Sequence, residues 1–384
     1  VINLSHICHK TLKLEMYSDQ ILILSRNLRS FIMRFTKFFI PVVGAVLLSL
    51  PAQARDYVSL AGSSTVLPFA TIIAEAMGKN PSFKTPVVES GGSSVGKKGV
   101  CEGIGTEFID FGNASSRMKV KELAFCDQNG VDLTEIKVGY DGIVVANSKS
   151  SPVLNISRHD LGMALTAEVP DPKYPDNSNL GKWIPNPYKK WSDINASYPD
   201  IEIRVYGPPT TSGTRASFAE MINQKSYCAK NARAKAFSAK RDDAKGKKCR
   251  AMRTDGAYVE AGEQDNLIVQ KLQEDANAFG IFGFSYLDQN SDTLQGAVLD
   301  GVSPTFEAIG SGDYKASRAL YFYAKHAHMD VVPGMKEYMA EWTKHWGNDG
   351  VLSDAGMIPM SDEERKSYKA AMKELPKLTA DMLK

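Results

Sequence analysis

From Tyr57 onward, strand-like stretches alternate with helix-like ones, and small hydroxyl residues mark the junctions. Tyr57 to Ala61 alternates apolar and polar side chains with the period of a strand. Leu67 to Met77 then repeats its apolar residues every three or four positions, with Pro68 acceptable because it falls in a first helical turn. The same order returns at Val87-Val88-Glu89, and again at Ile201 to Tyr206 followed by helix-like Ala216 to Ile222. Strand, turn and helix in succession predict an α/β fold. The β-rich run Ile136 to Asn147, broken by glycines, predicts a strand crossing between domains, and Ala278 to Leu287 predicts a crossing back. Residues 148–200, rich in Pro, Asn and Asp, predict an irregular opening to a second domain, with Trp183 and Trp191 as packing anchors. Val331 to Lys384 is helical and amphipathic in pattern, with Trp342 and Trp346 on one face.

Three of the junctions share a composition. Gly62-Ser63-Ser64-Thr65, Ser90-Gly91-Gly92-Ser93-Ser94 and Thr210-Thr211-Ser212-Gly213-Thr214 each follow a strand and precede a helix. A helix start leaves backbone N–H groups without internal partners and carries a partial positive charge, and small hydroxyl residues there add donors. One such cluster alone is an ordinary N-cap. Three converging in one α/β chain form a socket for a tetrahedral anion that needs no metal.

The start of the chain reads as an address. Met33 to Lys37 is a short basic head, Phe38 to Leu50 an apolar run, and Ala52-Gln53-Ala54 a small-x-small cleavage site, so residues 33–54 are expected to be a secretory signal peptide and residues 1–32 an over-extended start. The apolar run is shorter than the roughly 20 residues of a membrane span. The whole sequence of 384 residues has a formal charge of +2; without residues 1–54 it loses six basic and two acidic residues and becomes −2. A slightly negative body offers no global field for an anion, so attraction falls to local dipoles and one or two placed cations, and nucleic acid is excluded as a partner. Export agrees with the cysteines that remain, Cys101, Cys126, Cys228 and Cys249. Pairing Cys101–Cys126 and Cys228–Cys249 closes short local loops, with two other connectivities open; a zinc site lacks its usual close Cys-x-x-Cys spacing. The ten basic residues from Lys230 to Arg253 fit a solvated helix and loop stapled by Cys228–Cys249, with a docking or anion-collecting surface as the alternative.

Ala61-Gly62-Ser63-Ser64-Thr65-Val66-Leu67-Pro68, Asp110-Phe111-Gly112-Asn113-Ala114-Ser115-Ser116-Arg117, Tyr140-Asp141-Gly142-Ile143-Val144-Val145 and Tyr206 to Thr214 together resemble the phosphate-binding proteins of high-affinity phosphate ABC importers (PstS-like). The resemblance runs from about Tyr57 to Ala324. It implies a two-lobed type II periplasmic binding protein fold, each lobe a central mixed sheet flanked by helices, with inorganic phosphate in the interlobe cleft. It further implies a periplasmic monomer that needs no cofactor or metal and delivers phosphate to a membrane permease. The lobes are expected at 55–145 with 288–384 (lobe I) and at 146–287 (lobe II). Matched residue by residue, the expected phosphate ligands are Ser64, Thr65, Ser93, Ser212, Gly213 and Thr214. Arg117 matches the arginine of members whose motif ends Ala-Ser-Arg, and because Asn113 to Arg117 is one residue longer than the usual spacing, Ser116 is carried with it.

Choosing phosphate over sulfate requires a carboxylate, because phosphate keeps a proton to donate and sulfate has none. Asp141 is the first choice, with Asp110 and Asp265 behind it; Arg215 is a second cation candidate expected to point outward. Another oxyanion such as sulfate, molybdate or arsenate is the rival ligand. A secreted phosphatase is the rival activity, although the histidines of the mature chain fit no metal-binding helix motif and there is no Walker-type loop.

Overall fold

The computed structural model describes residues 55–173, 183–240, 243 and 246–384; the expected signal peptide and the residues before it lie outside these. Strand β1 (Ser59–Gly62) runs parallel to both β2 (Val87–Ser90) and β3 (Phe111–Ala114). Helix α1 (Leu67–Gly78) joins β1 to β2, and α2 (Ser93–Gly99) joins β2 to β3. α1 packs because Phe69, Ala70, Ile73, Ala74 and Met77 share one face, which is buried. Gly62 has φ of +143°, and a Cβ there would stand 2.1 Å from the Asn113 carbonyl oxygen, so only glycine lets β1 turn this close to β3.

Helix α3 (Val120–Gln128) leads into β4 (Leu133–Ser148), a 16-residue strand. A second strand–helix series follows: β5 (Val205–Gly207), α4 (Gly213–Phe218) continuing as a π-helix over Ala219–Cys228, β6 (Tyr258–Glu260), α5 (Asp265–Glu274), β7 (Phe279–Gly283), α6 (Phe284–Gln289) and β8 (Leu294–Gly296). β9 (Ser317–Lys325) then runs antiparallel between β3 and β4. The strand order of the nine-stranded mixed sheet is β2-β1-β3-β9-β4-β7-β5-β6, with β8 also on β4. Helix α7 (Met335–His345) buries Trp342 with Trp346 just beyond it, and α8 (Asp362–Glu374) is capped by Ser361 and Glu364.

β4 connects two hydrophobic cores. Its first part pairs with β9 through Gly142, and its Ile136 and Val138 pack with Val58, Leu60, Phe69, Phe322 and Trp342. Its later residues Ile143 to Ala146 pair with β7 and pack with Val205, Ile222, Phe279 and Phe282. Tyr140 touches both cores, and Asp141 lies between them on the strand. Leu294, Leu299, Ile309, Tyr314 and Ala316 belong to the core of Val145. Residues 288–316, grouped by sequence with lobe I, therefore pack with the segment 146–287, and the chain returns at β9. The disulfides are Cys101–Cys126 and Cys228–Cys249, the two local pairings, so these thiols hold no zinc.

Candidate functional site

The three small-residue clusters meet where the two cores adjoin. Thr65 Oγ1 lies 3.1 Å from Thr214 Oγ1, and the Ser94 N–H donates to the Thr211 carbonyl at 3.1 Å. Ser93 Oγ is 3.2 Å from Ser115 Oγ and accepts from the Ser115 N–H at 2.9 Å. Ser212 caps α4, its Oγ accepting from the Thr214 N–H at 3.0 Å. Gly213 is needed for the approach itself: a Cβ there would lie 2.3 Å from Ser93 Oγ and 2.6 Å from Ser115 Oγ. Ser64 is buried beside them, with its carbonyl accepting from the Tyr286 hydroxyl. Thr65, Ser93, Ser115, Ser212 and Thr214 are all buried.

The cation among these hydroxyls is Arg318, at the start of β9. Its Nη2 donates to Thr214 Oγ1 at 2.7 Å, to Thr65 Oγ1 at 2.9 Å and to Asp141 Oδ2 at 3.1 Å. Its Nε and Nη1 are buried with no partner inside the protein, leaving N–H donors on either side of Nη2 available to an anion. Burial works against the charge on both members of the Arg318–Asp141 pair. It pushes the Asp141 carboxyl up, while Arg318 and the Phe284 N–H, which donates to Oδ1 at 2.9 Å, pull it back. Arginine stays protonated even so.

A second carboxylate adjoins the pair. Asp265 is fully buried at the start of α5, and its Oδ2 accepts from the Gly283 N–H at 3.3 Å. Gly283 also abuts the site from that side: a Cβ there would stand 3.0 Å from Asp141 Oδ2 and 3.1 Å from Thr65 Cγ2. Burial raises the Asp265 pKa to about 7, against the opposing pull of Arg318 and the Gly283 N–H. Asp265 Oδ1 has no partner within the protein.

Other expected site residues lie elsewhere. Arg117 makes a two-pronged ion pair with Glu135, Nε and Nη2 donating to its carboxylate at 2.8 to 3.1 Å, and its side chain is 43% exposed. Ser116 turns away and accepts from Lys97 Nζ at 3.3 Å. The extra residue in Asn113 to Arg117 explains both: β3 ends at Ala114, so Ser115 faces inward and the next two positions face out. Asp110 is a structural clamp that accepts from Arg55 Nη2 and the Ser59 N–H and lies 2.6 Å from His328 Nδ1. Arg215, expected to point outward, is only 13% exposed; it pairs with Glu260 and lies over the Tyr258 ring. Sequence reasoning missed Ser115 and Arg318; the available signal for the latter was a lone arginine heading a strand that is otherwise apolar and aromatic, Ala319-Leu320-Tyr321-Phe322-Tyr323-Ala324. Among the described residues, no group of three or more His, Cys, Asp or Glu side chains is placed to hold a metal ion.

Comparison with known proteins agrees with this architecture. The chain is 27% identical over 324 residues to protein SphX of Synechococcus elongatus, covering 83% of this chain and 80% of that protein. It is 26% identical over 308 residues to the phosphate-binding protein PstS of Staphylococcus saprophyticus, covering 79% and 80%. Among solved structures it shares its fold with a phosphate-binding protein from Stenotrophomonas maltophilia, with a TM-score of 0.57 at 14% identity over 82% of this chain and 94% of that one. An ABC-type phosphate transport receptor from Vibrio cholerae gives 0.50 at 17% identity, over 79% and 100%. The PBP superfamily domain matches residues 49–344, a stretch that takes in every side chain gathered around Arg318, and the chain belongs to that superfamily.

Proposed function

We propose that this protein binds inorganic phosphate outside the cytoplasm and delivers it to an ABC-type importer by closing two lobes over it. The observation that carries this reading is the buried guanidinium of Arg318, with Nε and Nη1 unpartnered, set among Thr65, Ser93, Ser115, Ser212 and Thr214. Those hydroxyls and the guanidinium replace the hydration shell of a tetrahedral anion without a metal. The likeness to a phosphate-binding PstS supports the ligand. The two disulfides support an oxidising compartment. In this reading lobe II runs from Ile143 to Ala316, and β4 and β9 are the connections that flex.

Selection against sulfate rests on the carboxylates. Both Asp141 oxygens already accept hydrogen bonds, from Phe284 and Arg318, whereas Asp265 Oδ1 accepts none. Asp265 therefore shares a proton with the bound phosphate, and Asp141 holds the arginine. Sulfate brings no proton and faces Asp265 charge to charge.

The test is calorimetry on protein stripped of carried-over ligand by unfolding and refolding. Phosphate is expected to give a saturable heat and sulfate a much weaker one; absence of heat with phosphate overturns the proposal. A chromogenic phosphomonoester, assayed with and without divalent metal, tests the rival enzyme, and turnover would displace transport.

A further inference from the structure

A cavity of about 410 Å³ adjoins the anion site, and the two share walls. Three chain segments each give one residue to the site and a near neighbour to the cavity: Ser115 and then Ser116, Thr214 and then Ser217, and Arg318, which lines the cavity while its Nη2 sits among the site hydroxyls. Ser217 Oγ donates to the Ser115 carbonyl at 3.4 Å, on the boundary between the two spaces. Arg318 is 92% buried, given its 8% exposure, and its Nε and Nη1 have no partner. One cation thus serves a small socket and a larger space beside it.

The charge of that space is one-sided. Arg117, Lys119, Lys225 and Arg318 line it against a single acid, Glu220. Glu220 is bonded to Lys225 at 2.8 Å and to Arg250 at 2.9 Å, so it is already answered twice. Arg117 spends one face of its guanidinium on Glu135 and remains 43% exposed. An uncharged organic group would gain little among these cations, whereas a second phosphoryl group would be met by several of them.

We propose that the protein also accepts a condensed phosphate, with pyrophosphate as the smallest member, one phosphoryl group in the Arg318 socket and the next in the basic cavity. This rests on the reading of the socket as a phosphate site. No bond is made or broken; it is a second mode of binding.

The experiment is competition calorimetry on the stripped full chain with three probes: inorganic phosphate, pyrophosphate and glycerol 3-phosphate. Pyrophosphate is expected to bind, to lose its heat when the protein is saturated with phosphate, and to bind at least tenfold tighter than glycerol 3-phosphate. The double variant Lys119→Ala/Lys225→Ala, both outside the socket, is expected to weaken pyrophosphate at least tenfold while phosphate stays within twofold. Pyrophosphate heat that persists in phosphate-saturated protein, equal weakening of both anions by the variant, or no pyrophosphate binding where phosphate binds would each overturn the inference. Binding of pyrophosphate without phosphate would instead refute the phosphate reading and leave the condensed-phosphate site standing.

Discussion

Replacing Arg318 separates the arginine expected from sequence from the one the fold delivers. Arg318 Nε and Nη1 are buried and unpartnered, so an anion in the socket gains a charge-assisted hydrogen bond from one of them. At the upper limit of about 3 kcal/mol for such a bond, Arg318→Met costs about 3 kcal/mol of binding. That corresponds to about a 150-fold rise in the phosphate Kd. Met also strands Asp141, a fully buried carboxylate, which costs about 3–5 kcal/mol of stability; Arg318→Met/Asp141→Asn removes the stranded charge and keeps the binding assay in folded protein. Arg318→Lys retains the charge but not the fork, and is expected to lose about 10- to 100-fold, the worth of one such bond. The comparison is Arg117→Met/Glu135→Gln, which removes the Arg117 ion pair without stranding the buried Glu135 carboxylate. Isothermal titration of stripped protein is expected to leave that variant within about threefold of the parent, a difference of less than about 1 kcal/mol. A larger loss at Arg117 than at Arg318 would refute the reasoning and return the cation to the Ala-Ser-Arg motif.

Gly213→Ala places a methyl group 2.3 Å from Ser93 Oγ and is expected to abolish phosphate binding measured by calorimetry while far-UV circular dichroism stays unchanged. Asp265 titrates near 7 when folded and near 3.8 otherwise, so the unliganded folded state holds the extra proton between those values. Stability is thus expected to fall as pH rises from about 4 to about 7, by at most about 4 kcal/mol, and chemical denaturation of Asp265→Asn should show a shallower pH dependence. The same group predicts that the preference for phosphate over sulfate widens from pH 5.5 to pH 8, because protonated Asp265 donates to sulfate and ionised Asp265 repels it; a ratio independent of pH would remove Asp265 from the site. Cys101→Ser/Cys126→Ser opens a loop of sequence separation 25 and is expected to lose roughly 3–4 kcal/mol, read from the denaturation midpoint.

The residues of β1, α1 and the third cluster were legible because local rules decide them. Apolar spacing sets the buried face of α1, and strand, small-residue turn and helix can follow one another in few ways. The two disulfides were legible for the same reason, since each closes a short loop. The motif Asn113 to Arg117 was misleading because side-chain direction after a strand depends on where that strand stops, and a single residue moves Ser115 inward and Arg117 outward. Arg318 lies 253 positions from Thr65, 177 from Asp141 and 104 from Thr214, and no local pattern relates those numbers.

By itself, then, the sequence determined an α/β chain with small hydroxyl residues at its helix starts, because backbone conformation and burial periodicity act over a few neighbouring residues. Tertiary structure alone decided which cation joins them and which carboxylate is left free. A charge in a buried junction is set by groups brought together from distant strands, and the pairing of β9 between β3 and β4 is what carries Arg318 to Asp141.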